Sequence, residues 1–122
     1  ENQIIVFPFD VFTKKEVLAS INKVLSSGRA TTWDYHSAAL YYYQNNLDKN
    51  KSKMWFDKSL SMRPGNFPFW VYAYKAQIYN RYGDKKEALK AAEKSLEMAK
   101  KTGNHHSIGM SSRALKEVQE SP

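Results

Sequence analysis

The residues equipped for acid-base or metal chemistry are three histidines, His36, His105 and His106, and the aspartates Asp34, Asp48, Asp57 and Asp84. A metal or proton-transfer site on a helix needs its groups three or four residues apart, so that they share one face. His105 and His106 are adjacent, which sets them about a hundred degrees apart around a helix, and no carboxylate stands three or four residues from either. They read as cap or surface residues. His36 falls on the inner face of its segment and reads as a core-edge residue with a satisfied ring. The four aspartates are better placed to cap helices and to form surface pairs than to act as a catalytic dyad. The chain contains no cysteine, which removes disulfides, thiolate metal sites and cysteine nucleophiles. It also has no glycine loop of the kind that cradles phosphate. The expectation is therefore no catalytic constellation, no metal site and no cofactor.

Helices must carry whatever surface the chain presents. Thr13-Lys14-Lys15-Glu16 spells a capping box, and Val17, Leu18, Ile21, Val24 and Leu25 follow at three- and four-residue spacing until Ser26-Ser27-Gly28 stops the helix. Thr31 or Thr32 can cap a second helix running to about Asn45. A third begins near Asp48, carries Met54, Trp55, Phe56, Ser59 and Leu60, and is stopped at Pro64-Gly65. Pro68 suits the first turn of a fourth, which runs to about Tyr82 with apolar residues on two sides. The fifth spans Asp84 to Lys101, with Ala88, Ala92, Ser95, Leu96 and Ala99 facing inward, and a sixth runs from about His105 to Gln119. Ahead of these, Ile4 to Phe7 broken by Pro8 marks residues 1–11 as an extended arm, and residues 12–122 as the helical domain.

Composition bounds the function. With 42% hydrophobic and 25% charged residues the chain can bury a core, which argues against disorder. The formal charge of +7 permits an acidic partner, a nucleic acid or an anionic membrane surface. No nucleic-acid motif accompanies that charge, and the lysines of the fifth helix alternate with glutamates as a solvated face would. No nucleic-acid partner is expected. With no run of about eighteen apolar residues, no membrane insertion is expected either.

Sliding the chain back by 36 residues lays Leu40 to Pro64 over Ala76 to Lys100, with Tyr43 on Tyr79, Asp48-Lys49 on Asp84-Lys85, Lys58-Ser59-Leu60 on Lys94-Ser95-Leu96 and Met62 on Met98. Self-similarity at such a period marks a helical repeat. The Tyr72 to Lys101 unit resembles a tetratricopeptide repeat: Tyr43, Phe56 and Pro64 in the first unit, and Ala76, Tyr79 and Ala88 in the second, stand at that pattern's positions. The period is 36 rather than 34, Ala92 stands for the second aromatic and Lys100 for the proline, so the resemblance is to a tetratricopeptide-like hairpin. A second resemblance covers nearly the whole chain. Trp33-Asp34-Tyr35, Ala38-Ala39, Tyr41-Tyr42-Tyr43, Trp55-Phe56-Asp57-Lys58-Ser59, Phe69-Trp70, Lys75-Ala76 and Gly83 to Ala88 are similar to the carboxy-terminal helical half of the domain of unknown function 2911 family. That resemblance implies an exported, periplasmic or cell-envelope protein with a β-rich domain upstream, whose junction would end in residues 4–9.

The expected fold is thus all-α, a right-handed stack of about six antiparallel helices with two tetratricopeptide-like hairpins. In such hairpins the first helix of each pair lines a concave groove, which would place Asp34, Tyr41, Gln44 and Asn45 of one unit and Trp70, Gln77, Asn80 and Arg81 of the next on it. Amides can pair with a peptide backbone, an arginine can grip a carboxylate, and aromatics add desolvated area. The function expected is non-enzymatic: docking of a peptide, a partner protein or the protein's own upstream domain, with a homodimer also open. The alternatives are the scaffold half of an exported enzyme whose active site lies in the upstream β-rich domain, and a basic binder of nucleic acid or membrane surface.

Overall fold

A computed structural model describes residues 13–63, 65 and 67–122. The arm assigned to residues 1–11 and its junction lie outside the described residues, as does Pro64. The described residues form six helices and no strand, so the chain is all-helical as expected. It divides into two compact units, residues Glu1–Pro64 and Gly65–Pro122.

The first unit holds α1 (Lys14–Leu25), α2 (Thr32–Gln44) and α3 (Lys49–Ser61). The capping box of α1 is formed in full, Glu16 N–H donating to Thr13 Oγ1 at 3.1 Å and Thr13 N–H to Glu16 Oε1 at 2.9 Å. Thr31, not Thr32, caps α2, with Asp34 completing a second capping box. Asp48 caps α3 by accepting from the Asn50 and Lys51 amides. Val17 and Ile21 of α1 bury themselves with Ala38, Tyr41 and Tyr42 of α2, and Trp55 of α3 meets Tyr42 edge to face at 4.7 Å. The α2–α3 hairpin runs antiparallel, His36 lying opposite Phe56 and Ala39 opposite Ser52, whose hydroxyl donates to the Ala39 carbonyl at 2.9 Å. Its turn passes through Asn46 in the left-handed region, φ 54°, a conformation asparagine tolerates better than most residues. Helix α3 ends at Ser61, where Met62 N–H donates to the Lys58 carbonyl.

The second unit holds α4 (Phe69–Tyr82), α5 (Lys85–Thr102) and α6 (His105–Glu120). Pro68 is the N-cap of α4 rather than part of its first turn. Gly83 closes α4 at φ 110°, a region open to glycine and strained for other residues, and Asp84 N–H returns to the Tyr79 carbonyl at 2.9 Å. Asp84 then caps α5 through the Glu87 amide. Buried positions on α4 run around a wide arc, at Val71, Ala73, Ala76, Ile78 and Tyr79, because α4 packs against both α5 and α6. Helix α5 turns Ala88, Ala91, Ala92, Ser95 and Ala99 inward. The Ser95 hydroxyl donates to the Phe69 carbonyl at 2.8 Å, which leaves Ser111 of α6 to donate to Ser95 Oγ at 2.7 Å.

The 36-residue repeat holds where it concerns caps and small buried side chains. Asp48 and Asp84 both cap the second helix of a hairpin, and Ser59 and Ser95 are both fully buried. It is looser at the aromatics, since Tyr79 is buried and Tyr43 only half so. Among the expected core residues, Val17, Ile21, Phe56, Ala76, Tyr79, Ala88 and Ala92 are buried, while Leu18, Leu40, Tyr43, Leu60 and Leu96 are half-buried. Because Ala92 is fully buried, Ala92→Leu should destabilise the second unit by about 1–3 kcal/mol through overpacking. An unchanged melting temperature would contradict this packing.

Candidate functional site

Each unit presents part of the row of polar and aromatic residues singled out by the sequence. On α2, Asp34 is wholly buried and works as a cap: its Oδ2 accepts from Thr31 N–H at 2.9 Å while its own amide donates to Thr31 Oγ1 at 3.2 Å. Its other oxygen, Oδ1, is buried with no hydrogen-bond partner among the described residues. Tyr41 is buried in the core of the first unit. Both side chains turn inward because α2 is covered on two sides, so that positions 34, 38 and 41 on one row and 36, 39 and 42 on the others are all buried. What α2 leaves open is its C-terminal end, where Gln44 and Asn45 are exposed and Asn45 Nδ2 donates to the Tyr41 carbonyl.

On α4, Trp70, Gln77 and Asn80 are half-buried and Arg81 is exposed. Gln77 Nε2 donates to Glu117 Oε1 at 2.9 Å and Asn80 Nδ2 to Ser121 Oγ at 2.7 Å, while Lys85 Nζ donates to the Ser121 carbonyl. The separations of 40 and 41 residues show α4 and α6 running parallel, with the last turn of α6 laid along the end of α4. Two further rings on this unit carry cations. Lys94 Nζ lies 4.6 Å from the Tyr72 ring centre and Lys75 Nζ 5.2 Å from that of Tyr79.

No family model, curated protein or solved structure matches the chain.

His36 is buried at the side of Phe56, ring centres 5.1 Å apart, and meets Trp33 edge to face at 5.5 Å. Removal from water disfavours the imidazolium, which brings its pKa down from 6.5 to about 4. It lies deeper than the core edge expected from the sequence. His105 and His106 are exposed in the first turn of α6. No cluster of three His, Cys, Asp or Glu able to hold a metal occurs among the described residues. Asp48 and Asp84 cap helices, and Asp57 pairs with Lys53 at 2.8 Å on the surface of α3. No helix of the described residues is long and apolar enough to cross a membrane.

Two features depart from the sequence expectation. The contacts of Glu117, Ser121 and Lys85 join residues 36 to 41 apart, and no local spacing announces a pairing at that distance. Met54, grouped with the apolar residues of α3, is instead 56% exposed. The helical period already carried that signal, since Met54 stands about 160° around the axis from the buried Phe56.

Proposed function

We propose that this chain is a non-enzymatic interaction module, built from two tetratricopeptide-like hairpins, that docks a peptide, a partner protein or its own upstream domain. The observation that carries the reading is the way the end of α4 treats a neighbouring segment of chain. Gln77, Asn80 and Lys85 hold Glu117, the Ser121 hydroxyl and the Ser121 carbonyl by side-chain donors. A carboxylate, a hydroxyl and a backbone carbonyl are what a peptide offers, and amides with a cation are what groove-type recognition uses. Trp70 and Arg81 on the same helix, and Gln44 and Asn45 at the end of α2, extend the same chemistry to residues that face solvent wholly or in part. The resemblance to the domain of unknown function 2911 family, and with it an envelope location and an upstream β-rich domain as occupant, belongs to this proposal.

A random-peptide display library panned against the 122-residue chain tests it, with the region encoded upstream of Glu1 offered separately as a competitor. A half-buried tryptophan at the centre of an interface typically contributes about 2 kcal/mol or more. Trp70→Ala should therefore weaken the selected peptides by about 30-fold, with circular dichroism unchanged. Competition by the upstream region would assign the surface to intramolecular docking. Peptides indifferent to Trp70, Gln44 and Arg81 would remove the proposal.

A further inference from the structure

The exposed large apolar side chains of the described residues are Met54, Met62 and Tyr82. Two of the three belong to α3 and its C-cap, and they share one line. At about 100° per residue, Lys51, Met54, Lys58 and Met62 lie within about 80° of arc, on the side opposite the buried Ser52, Phe56 and Ser59. Along the axis the two sulfurs are carried on residues about 12 Å apart, with a lysine before the first and another between them. Met54 is 56% and Met62 38% exposed, and both lysines are exposed.

Among the described residues no carboxylate pairs with Lys51 or Lys58. Residues 13–63 contain nine Lys and Arg against Glu16, Asp34, Asp48 and Asp57. Three of those four carboxylates are taken up by helix capping, Glu16 on α1, Asp34 on α2 and Asp48 on α3. The fourth, Asp57, is held by Lys53. With Asp48 held at its N-terminus and Asp57 on Lys53, α3 leaves Lys51 and Lys58 beside exposed methionines as a positive, deformable apolar strip.

We infer that the outer face of α3 docks an acidic amphipathic helix of a partner protein, with the partner's aliphatic side chains against Met54 and Met62 and its carboxylates on Lys51 and Lys58. These four residues are none of Gln44, Asn45, Trp70 and Arg81, and α3 can dock its partner whether or not those residues bind a peptide. Methionine suits the task because its unbranched, polarizable side chain adapts to differing apolar partners. Charge complementarity selects the acidic partner and makes the association salt-sensitive. A lipid surface fits less well, because the aromatic on one border of the strip, Trp55, is half-buried against Tyr42, and Asn50, Asp57 and Ser61 line the other border.

The chain has four methionines, and the other two, Met98 and Met110, are half-buried in the second unit, so they serve as internal controls. With 13C-methyl methionine, the probe is an 18-residue peptide repeating Leu-Glu-Glu-Leu, titrated in 50 mM salt. The Met54 and Met62 methyl resonances should move and saturate, while those of Met98 and Met110 stay in place. In 500 mM salt, or in the surface variant Lys51→Glu/Lys58→Glu, affinity should fall at least tenfold. A lysine-substituted peptide should leave all four signals unmoved. Uniform movement of all four, no movement of Met54 and Met62, or movement caused by phosphatidylserine vesicles and not by the peptide would each overturn the inference.

Discussion

Phe56→Ala should destabilise the first unit by about 3–5 kcal/mol, the range for removing a fully buried phenylalanine from a close-packed interior. Phe56 is the largest fully buried side chain of the described residues. It sits on α3 where the hairpin meets α2, against the His36 ring and one residue from Trp55, which contacts Tyr42. Truncation therefore opens a cavity between the two helices, beside the His36 ring. Urea unfolding monitored by circular dichroism, with tryptophan emission reporting on Trp33 and Trp55, measures it. A loss under about 1 kcal/mol would mean that the α2–α3 hairpin is not packed around this ring.

The second large effect is a dependence on pH that His36 imposes. In the folded chain its pKa is about 4, and in the unfolded chain it is close to 6.5. Between those values the unfolded state binds a proton that the folded state refuses, so stability rises with pH. Above about pH 6.5 the imidazole is neutral in both states and the unit has its full stability. As pH falls through 6.5 toward 4, roughly 2 kcal/mol should be lost by pH 5 and about 3 kcal/mol by pH 4, at about 1.4 kcal/mol per pH unit. Below about pH 3 the histidine is charged in both states and the loss levels off. Carboxylates titrate in the lower part of this window, so the measurement is the difference between the wild-type chain and His36→Gln. That difference should change with pH as described, and a parallel pair of pH profiles would refute it. The two substitutions also connect. Removing the Phe56 ring admits water to the imidazole, so in Phe56→Ala the His36 ring signal in a proton NMR titration should move back toward 6.5.

How far the sequence could be read depended on the range over which each interaction acts. Capping is local, and Thr13 with Glu16, Asp48 and Asp84 were recognisable from spacings of two or three residues. Helix ends at Gly83 and Gly103 follow from the same short-range rule, since a left-handed residue closes each helix and glycine adopts it without strain. The period of 36 correctly paired the caps Asp48 and Asp84 and the buried serines Ser59 and Ser95. Depth was harder to read than position. Leu40, Leu60 and Leu96 have the right chemistry for a core and end half-buried, whereas Ala38, Ala39 and Ala73, which contribute little apolar area, are the residues at the contact. Where two helices approach closely, the small side chain is at the point of contact and the large ones flank it.

The candidate surface was legible only in part, for the same reason. The sequence suits Asp34 to both a groove and a cap, and its carboxylate does the second while fully buried. Gln77 and Asn80 are amides suited to a peptide on sequence grounds, but that their donors reach Glu117 and Ser121 depends on α6 folding back beside α4. A contact across 40 residues belongs to the tertiary fold and leaves no periodic trace. Met54 is the opposite case, since the helical period alone placed it away from Phe56.

The hydroxyl pair inside the second unit has a further consequence. Helix α5 offers its neighbours a nearly smooth surface of Ala88, Ala91, Ala92 and Ala99, and smooth surfaces let one helix slip along another by a turn with little change in buried area. Ser95 forbids this slip. Shifted by one turn, its hydroxyl would lose the Phe69 carbonyl and Ser111 together, leaving polar groups stranded in an apolar interior at about 1–3 kcal/mol apiece. A bond that contributes little to net stability thereby fixes the register of three helices at once, as a detent fixes a sliding rail.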